Sequence, residues 1–212
     1  MKRIKSNKQL VIIGAGGHGR VVADAAAKMR KWKKILFLDD QSGIGNDFGI
    51  NVAGTIEEFR KYITTADIFV AIGNNATREK IVNLIEKAGA NIPVIIHPNS
   101  TVGKNVTISK GTVVVAGVVI NCGSKIGISC ILNTSATIDH DNVIGDLVHI
   151  SPGVHLAGSV SVGKSSWLGI GSSVSNNLTI CGDAVIGAGA VVVKSINKSG
   201  TYVGVPARKL HK

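Results

Sequence analysis

Aliphatic residues recur at every sixth position through the second half of the chain. The row runs without interruption from Ile96 to Val192. A period of six matches neither the turn of an α-helix nor the alternation of one long strand. It predicts that the chain bends after each short strand, that the aliphatic side chains point to a common axis, and that three hexads close one 18-residue coil. The members of the row are Ile96, Val102, Ile108, Val114, Ile120, Ile126, Leu132, Ile138, Ile144, Ile150, Leu156, Val162, Leu168, Val174, Ile180, Ile186 and Val192.

Small residues and glycines take fixed places in the same period. The position two before the aliphatic row is often small, and we expect it at the corners of the coil. The position after the row is often glycine, where we expect the chain to bend without a clash from a Cβ. The small residues are Ser100, Thr112, Ser124, Cys130, Ala136, Ser166, Ser172, Ala184 and Ala190, and the glycines are Gly103, Gly127, Gly145, Gly163, Gly169 and Gly187.

Towards the N-terminus, apolar runs alternate with charged stretches that have helical periodicity. Leu10 to Ile13 predicts a buried strand that leads into G-x-G-x-x-G at residues 14–19, and a helix is predicted from Val21 to Lys31. The later elements predicted in the same way are strands over 35–38 and 68–72 and a helix over 77–88. Residues 1–94 are therefore expected to form an α/β Rossmann-like domain, and residues 95–212 an all-β parallel β-helix with a C-terminal tail.

The glycine-rich turn predicts a phosphate site. Glycines between a strand and a helix expose backbone N–H groups at the positive end of the helix, which suits phosphate or pyrophosphate. Asp39 and Asp40 end the second strand, where a dinucleotide fold places its ribose-binding acid. A single nucleotide is favoured over NAD, because about 90 residues provide only half of a full dinucleotide domain. A purely structural glycine turn stays open as an alternative.

Charge and cysteine content narrow the partners and the compartment. The formal net charge of +11 favours an anionic partner. We interpret the basic residues as scattered, without a basic run interleaved with aromatics, and so expect phosphorylated small molecules rather than nucleic acid. Three cysteines without a C-x-x-C pair suit a reducing compartment. The N-terminal apolar run is too short for a signal peptide or a membrane span, so we expect a cytoplasmic protein without membrane insertion.

Three histidines, His140, His149 and His155, fall within one coil. Their offsets from the aliphatic row predict that their side chains point outward and that none of these three histidines lies in the core. Asp139 and Asp141 flank His140, and a carboxylate beside an imidazole raises its basicity and holds its orientation. The pattern favours His140 as the general base of an acyl transfer from a thioester, with backbone N–H groups as donors to the oxyanion.

Two other readings of the β-helix remain open. A zinc site formed by three histidines across a subunit boundary, as in the carbonic anhydrases with trimeric β-helices, matches the histidine count. Those enzymes lack a nucleotide-type N-terminal domain, however, so no metal is expected here. A non-catalytic β-helix is the second reading, although such a rod has no need of clustered histidines.

The sequence resembles the sialic acid O-acetyltransferase family of hexapeptide-repeat sugar acyltransferases, and specifically the UDP-4-amino-sugar N-acetyltransferases of the bacillosamine pathway. The motifs that carry this resemblance are GAGGHG at 14–19, FLDD at 37–40, AIGNN at 71–75, ILNTSATIDHD at 131–141, VIGDLVHIS at 143–151 and VGVPA at 203–207. The resemblance implies a left-handed β-helix, a homotrimer, and acetyl-CoA-dependent N-acetylation of the 4-amino group of a UDP-linked amino-dideoxy sugar. O-acetylation of sialic acid and N-acetylation of a dTDP- or GDP-linked amino sugar are the alternatives.

The resemblance also implies roles for individual residues. The catalytic base falls on His140, the acid that raises its basicity on Asp141, and a polar neighbour of the base on Asn133. The nucleotide-sugar site falls on Gly16, Gly17, His18, Asp39, Asp40 and Gly73, and the acetyl-CoA contacts fall on His149, Gly158, Ile170 and Ala188. Two positions depart from the family pattern: Asp141 stands where related chains have the longer Glu, and Ala188 where they have Gly.

Overall fold

The structure, a computed structural model, describes residues 9–41 and 49–211. The chain forms two compact units, Met1–Pro98 and Asn99–Lys212. The sequence analysis put this division between residues 94 and 95. Residues 1–8, which begin the segment judged too short for a signal peptide, lie outside the described residues.

The first unit alternates strands and helices around a small parallel sheet. Its elements in chain order are β1 (Gln9–Ile13), α1 (Gly17–Met29), β2 (Lys34–Leu38), a 3₁₀ helix (Ile56–Tyr62), β3 (Ala66–Val70), α2 (Asn75–Lys87) and β4 (Ile95–Ile96). The sheet order is β2-β1-β3, and both pairings are parallel. From Leu10 to Ile13 the central strand is completely buried, as a parallel strand covered on both faces should be.

Both helices begin earlier than the sequence pattern predicted. The first begins at Gly17 instead of Val21, and the second at Asn75 instead of Thr77. Glycine has a low helix propensity, so the sequence pattern assigned residues 17–19 to the turn, whereas they form the first helical turn. At the second helix, the side chain of Asn74 accepts a hydrogen bond from the N–H of Thr77 at 2.9 Å and caps the helix.

The second unit is a parallel β-helix whose short strands form three sheets, which we call faces 1, 2 and 3. Face 1 consists of β7 (Val113–Val114), β10 (Ile131–Leu132), β13 (His149–Ile150), β16 (Trp167–Leu168), β19 (Ala184–Ile186), β21 (Gly200–Val203) and β22 (Arg208–Lys209). Face 2 consists of β5 (Thr101–Val102), β8 (Val119–Ile120), β11 (Thr137–Ile138), β14 (His155–Leu156), β17 (Ser173–Val174) and β20 (Val191–Val192). Face 3 consists of β6 (Thr107–Ile108), β9 (Lys125–Ile126), β12 (Val143–Ile144), β15 (Ser161–Val162) and β18 (Thr179–Ile180).

Successive coils stack in strict register. Thr137 pairs with Val119 in the preceding coil and with His155 in the following one, so that each residue lies over the residue 18 positions away. The coil length predicted from the aliphatic row is thereby confirmed. The fold class is confirmed as well: an α/β Rossmann-like domain is followed by a left-handed parallel β-helix.

Small residues before the aliphatic row close the interior of the helix at each turn. From Thr112 onward, the small residues predicted for this position are completely buried, while Ser100 is half-buried. The aliphatic row itself is buried in the coil that contains the three histidines, for example at Ile138 and Ile150. Each coil therefore has a thin apolar interior lined by six-residue repeats.

The glycines after the aliphatic row have a different role from the one predicted. None of these six residues has a positive φ. A Cβ on Gly145 would instead lie 2.7 Å from the backbone nitrogen of Lys164, and one on Gly169 would lie 2.7 Å from the carbonyl oxygen of Ile186. Close approach of the next coil therefore requires glycine here. The left-handed backbone falls two residues later, at positions such as Asp141 (φ 58°) and Leu147 (φ 61°).

Surface charge is less evenly spread than we interpreted it from the sequence. Five exposed cations, Lys28, Arg30, Lys31, Lys33 and Lys34, lie between the end of α1 and the start of β2. The segment surrounds Trp32, whose ring is buried. Cations are favoured at the C-terminal end of a helix, where the backbone carbonyls carry partial negative charge.

Two further observations concern compartment and topology. None of the three cysteines forms a disulfide; Cys122 is exposed, Cys130 is buried and Cys181 is in between. Within residues 9–41 and 49–211, no helix is both long enough and apolar enough to span a bilayer.

Candidate active site

His140 lies in the turn between β11 and β12, which we call the His140 turn (residues 139–142). Its Nδ1 lies 2.8 Å from Oδ2 of Asp141, whose left-handed backbone turns its carboxylate back towards the ring. The backbone N–H of His140 donates to Oδ1 of Asp139 at 2.8 Å, and the same oxygen accepts a hydrogen bond from Asn121. The two flanking carboxylates therefore fix the ring and the backbone of His140 separately.

The carboxylates also set the basicity of the imidazole. The hydrogen bond to Asp141 raises the pKa of His140 above its ordinary value; the charges of Asp139 and Asp141 add to this increase, while desolvation opposes it. Hydrogen bonds from Asn121 and from the backbone of His140 lower the pKa of Asp139. An imidazole whose Nδ1–H is held by a carboxylate has its Nε2 lone pair available to accept a proton.

Gly158 lies directly beside Nε2 of His140. It is the residue 18 positions after His140, and a Cβ added to it would come within 2.5 Å of Nε2. Gly158, implied by the family resemblance as an acetyl-CoA contact, is thus brought together with His140, the predicted base. The ring of His140 stays half-exposed above it, with 53% of its side chain accessible.

A groove on face 1 brings together most of the other residues assigned to acetyl-CoA. It has a volume of about 440 Å³ and is mainly apolar. Asn133, His149, Ile170 and Ala188 all line it, so the structure places Asn133 with these residues rather than beside His140. The remaining lining residues are Ser151, Pro152, Trp167, Gly169, Val185, Ile186 and Gly187. We call this depression the Trp167 groove.

His149 is not the exposed residue that its offset predicted. Its side chain is almost fully buried, because the indole of Trp167 in the next coil stacks on it with ring centroids 5.2 Å apart and planes at 8°. The Nε1–H of Trp167 donates to Oγ of Ser151 at 2.8 Å, which holds the indole in this position. Trp167 and Ser151 were missed by the sequence analysis. The available signal was the 18-residue spacing between His149 and Trp167.

The three histidines of the coil do not converge. His140 lies in the turn after face 2, His149 lies on face 1, and His155 lies on face 2, where its Nδ1 is 2.8 Å from the hydroxyl of Thr137. Among the described residues, no group of three or more potential ligands could hold a metal ion. The expectation that the protein uses no metal stays a prediction.

The glycine turn of the first unit presents an open backbone surface. Added Cβ atoms on Gly16, Gly17 and Gly73 would meet nothing within 4 Å. Gly16 is the N-cap of α1, so the free N–H groups of the first helical turn face this open space. These three glycines fit a ligand that approaches the backbone closely, such as a phosphate.

The acidic residues assigned to the nucleotide site are held by backbone N–H groups. Asp39 accepts a hydrogen bond from the N–H of Ala15 at 2.7 Å, and Asp40 accepts one from the N–H of Ile56 at 2.9 Å. Asp39 therefore fixes the glycine turn, and the strand that ends in these two acids brings them to the same edge of the sheet as the turn. The structure thus groups Asp39 and Asp40 with the glycines of residues 14–17.

The half-buried His18 interacts electrostatically with the buried Arg78. Burial, and to a lesser extent the positive charge of Arg78, lower the pKa of His18 to about 4, so the ring is neutral at pH 7. Arg78 is fully buried and donates to the carbonyl oxygens of Ile72 and Gly73 at 2.9 and 3.0 Å. It also donates to the side chain of Asn75 at 2.8 Å. Sequence analysis missed Arg78, since a helical arginine is ordinarily exposed.

Two solved structures are similar to this chain over nearly its whole length. The acetyltransferase domain of PglB from Neisseria gonorrhoeae, in complex with acetyl coenzyme A, is 40% identical with a TM-score of 0.93, and the match covers 97% of this chain and 100% of that one. PerB from Caulobacter crescentus, in complex with CoA and GDP-perosamine, is 35% identical with a TM-score of 0.91, covering 97% and 99%.

Sequence comparisons agree with the structural ones. The family described as the PglD N-terminal domain matches residues 9–85. The UDP-N-acetylbacillosamine N-acetyltransferase of Bacillus subtilis is 34% identical over 112 residues, which are 51% of this chain and 52% of that protein. The match therefore spans about half the length of that relative.

The two-unit fold, the His140 turn and the Trp167 groove define a hexapeptide-repeat acyltransferase. The full-length structural matches above 30% identity support the same class. The protein belongs to the family of hexapeptide-repeat sugar N-acetyltransferases with a PglD-type N-terminal domain.

Proposed function

We propose that this protein is an acetyl-CoA-dependent N-acetyltransferase that acetylates the 4-amino group of a UDP-linked amino-dideoxy sugar. The observation that carries the proposal is the arrangement of His140, with Nδ1 held by Asp141 and Nε2 against Gly158. A base of raised pKa, half-exposed to a bulky acceptor, fits an amine acceptor on a nucleotide-linked sugar. The solved relatives with bound acetyl coenzyme A and with bound GDP-perosamine support both substrates by analogy.

The proposed reaction is direct transfer. The amine nitrogen of the sugar attacks the thioester carbonyl carbon, a C–N bond forms, and Nε2 of His140 takes the proton that the amine loses. The negative oxygen of the tetrahedral intermediate accepts hydrogen bonds from backbone N–H groups near Gly158 or from His149. The C–S bond then breaks, the proton on His140 passes to the leaving sulfur, and CoA and the N-acetyl sugar are the products.

The Trp167 groove is the proposed site of acetyl-CoA. Its apolar wall, which includes the exposed Ile170, suits the pantetheine arm, and the ring of Trp167 offers a flat surface for stacking. Ala188 adds one methyl group to this wall where related chains have glycine, so the groove is narrower at this point. The methyl group fills space in the groove but removes no hydrogen-bonding partner.

The nucleotide is proposed to bind the first unit. Its diphosphate would face the open backbone of Gly16 and Gly17 at the start of α1, with Gly73 on the neighbouring loop. A neutral His18 can donate or accept one hydrogen bond there without adding charge. Uridine is proposed as the base because the Bacillus subtilis relative is named for a UDP sugar.

We further propose a cytoplasmic homotrimer. Within one chain, His140 lies in the turn that follows face 2, whereas the Trp167 groove opens on face 1. A second copy of the chain would bring its groove to the His140 turn of the first and complete the reaction site. The absence of a disulfide among Cys122, Cys130 and Cys181 is compatible with a reducing compartment.

The test is the release of CoA thiol from acetyl-CoA with a panel of UDP-, dTDP- and GDP-linked 4-amino sugars and free sialic acid. We expect turnover with a UDP-linked amino sugar and a loss of about 100- to 10,000-fold in His140→Ala, with acetyl-CoA binding retained. Turnover with only the GDP- or dTDP-linked sugar would show that the enzyme uses that nucleotide instead of UDP. Wild-type turnover in His140→Ala would refute the role of the base.

A further inference from the structure

A buried amide lies inside the His140 turn. Asn142 is completely buried, and its Nδ2 donates to the carbonyl oxygens of Asp139 at 2.7 Å and Ala157 at 3.0 Å. A longer contact of 3.3 Å reaches the carbonyl oxygen of His140 itself. Two of these acceptors belong to the His140 turn, and the third lies in the next coil.

These acceptors lie in the backbone next to two residues: His140, which carries Nε2, and Gly158, against which Nε2 packs. The carbonyls of Asp139 and His140 lie on either side of the Cα of His140. Ala157 directly precedes Gly158, against which Nε2 is packed. One side chain therefore ties the backbone that carries the imidazole to the backbone that supports it from the next coil.

Equivalent positions in other coils make fewer contacts. Cys130 comes nearest to Asn142, since its Sγ donates to the carbonyl oxygen of Gly145 at 3.1 Å and makes one longer contact of 3.8 Å back to the carbonyl oxygen of Ile128. The same interior position is occupied by Thr112, Ser124 and Ser166, each of which donates its hydroxyl to the carbonyl 15 residues further along, at 2.8, 2.8 and 2.9 Å. Asn142 makes this contact to Ala157 as well. Its additional bonds reach back within its own turn, which none of the three hydroxyls does in the contacts described above. The amide is thus suited to holding this turn and not only to stacking coils.

The amide also carries an energetic disadvantage. Its Oδ1 is buried and has no hydrogen-bond partner. An unsatisfied buried acceptor destabilises the folded state. A serine would preserve the contact between coils without leaving an amide oxygen unsatisfied, so what asparagine adds at this position is the pair of bonds within its own turn.

We propose that Asn142 is a positioning residue that keeps the imidazole of His140 in register with Gly158 during acetyl transfer. The role rests on the proposed function of His140. Ser124 assists from the preceding coil, where its hydroxyl donates to the carbonyl of Asp139 and accepts from the N–H of Asn142 at 3.1 Å. Asp141 orients the ring, whereas Asn142 orients the backbone from which the ring projects.

The test compares Asn142→Ser with Thr112→Ala, a variant of the same interior position in a coil remote from His140. In Asn142→Ser the contact between coils can form, but the bonds within the turn are lost. We expect kcat to fall about 10- to 100-fold with KM for both substrates within a factor of two, as is usual when a support of a reacting group is removed. Thr112→Ala should lower the unfolding temperature and keep kcat. A wild-type kcat in folded Asn142→Ser would overturn the proposal.

A second readout does not depend on turnover. The imidazole resonances of His140, followed by NMR during a pH titration, should change in shift and in midpoint in Asn142→Ser, because the ring no longer keeps one position relative to Asp141 and Gly158. If the wild type transfers no acetyl group, the proposed function fails, and this titration still decides the positioning role. Unchanged His140 resonances would overturn it. Should Asn142→Ser fail to fold, Asn142→Val replaces it, since the next coil accommodates Val160 at this position.

Discussion

Nε2 of His140 and the Cα of Gly158 lie one above the other in consecutive coils, so that even one added methyl group at Gly158 would come within 2.5 Å of the nitrogen. The absence of a side chain at residue 158 therefore creates the space in which the imidazole lies. The contact also fixes the height of the reactive nitrogen above the surface of the β-helix. A substitution at Gly158 can therefore displace the imidazole while residue 140 remains a histidine.

Gly158→Ala should displace the imidazole and lower kcat by about a hundredfold, because a misplacement of roughly 1 Å can have an effect of that size. The measurement is kcat with saturating acetyl-CoA and amino sugar, together with the thermal unfolding temperature. Ser159→Ala changes the neighbouring exposed residue and should keep the wild-type rate. A Gly158→Ala enzyme that turns over like the wild type would show that the contact has no catalytic consequence.

The activity should depend on pH through His140. The base works when deprotonated, so kcat/KM should rise with pH through a midpoint above the ordinary imidazole value, because Asp141 raises the pKa of His140. In Asp141→Asn the midpoint should move to lower pH, and the plateau should fall about 10- to 100-fold as the ring loses its support. Asp183→Asn is the matched control, since Asp183 takes the same left-handed position in the hexad seven repeats further on. An unchanged midpoint in Asp141→Asn would contradict the assignment.

Acid should destabilise the protein through His18. Its pKa in the folded state is about 4, below the ordinary value of 6.5, so the unfolded chain binds a proton that the folded chain excludes between these values. The free energy of unfolding should therefore fall as the pH is lowered from about 6.5 towards 4, by on the order of 2 kcal/mol. His18→Gln should remove this part of the pH dependence in denaturant titrations. The control is His155→Gln, which removes an exposed imidazole; an identical acid response in His18→Gln and wild type would reject the prediction.

Acetyl-CoA affinity should depend on Trp167. Trp167→Ala removes the indole that covers His149, and KM for acetyl-CoA should rise roughly tenfold, consistent with about 1–2 kcal/mol for a lost aromatic contact and its buried area. Trp167→Phe keeps the stacking but loses the hydrogen bond to Ser151, so its KM should rise less. Val143→Ala, an exposed apolar residue on face 3, is the control. Equal KM values in Trp167→Ala and wild type would place acetyl-CoA elsewhere.

The sequence alone predicted the stacking of coils because one row of residues decides it. Every sixth residue is aliphatic, and from Val114 onward the same residues are buried in the interior, so periodicity and burial coincide there. Earlier in the row they do not, since Val102 is 41% exposed. The strand and helix alternation of the first unit was predictable for a similar reason: Leu10 to Ile13 is apolar throughout because both faces of β1 are covered. Helix starts were less predictable, since Gly17 and Gly19 lie inside a helix that their propensity disfavours.

The site was harder to predict wherever it depends on neighbours one coil away. The burial of His149 follows from Trp167, 18 residues later, and not from the hexad that contains the histidine. The contact of His140 with Gly158 has the same origin. Likewise, Asn133 lies in the groove with His149 although only seven residues separate it from His140 in sequence. A single hexad predicts the direction in which a side chain points, but the residues that cover that side chain come from the next coil.

The register of the β-helix places a strict condition on the length of the chain between His140 and Gly158. The two residues meet because the segment between them completes one circuit of three hexads. Loss or gain of a single hexad would leave the aliphatic interior continuous but would carry the glycine to a different edge of the prism, and gain of a complete circuit would carry it one coil too far from His140. Insertions and deletions of whole hexads in this segment are therefore compatible with the fold, whereas the contact allows only the present spacing of eighteen.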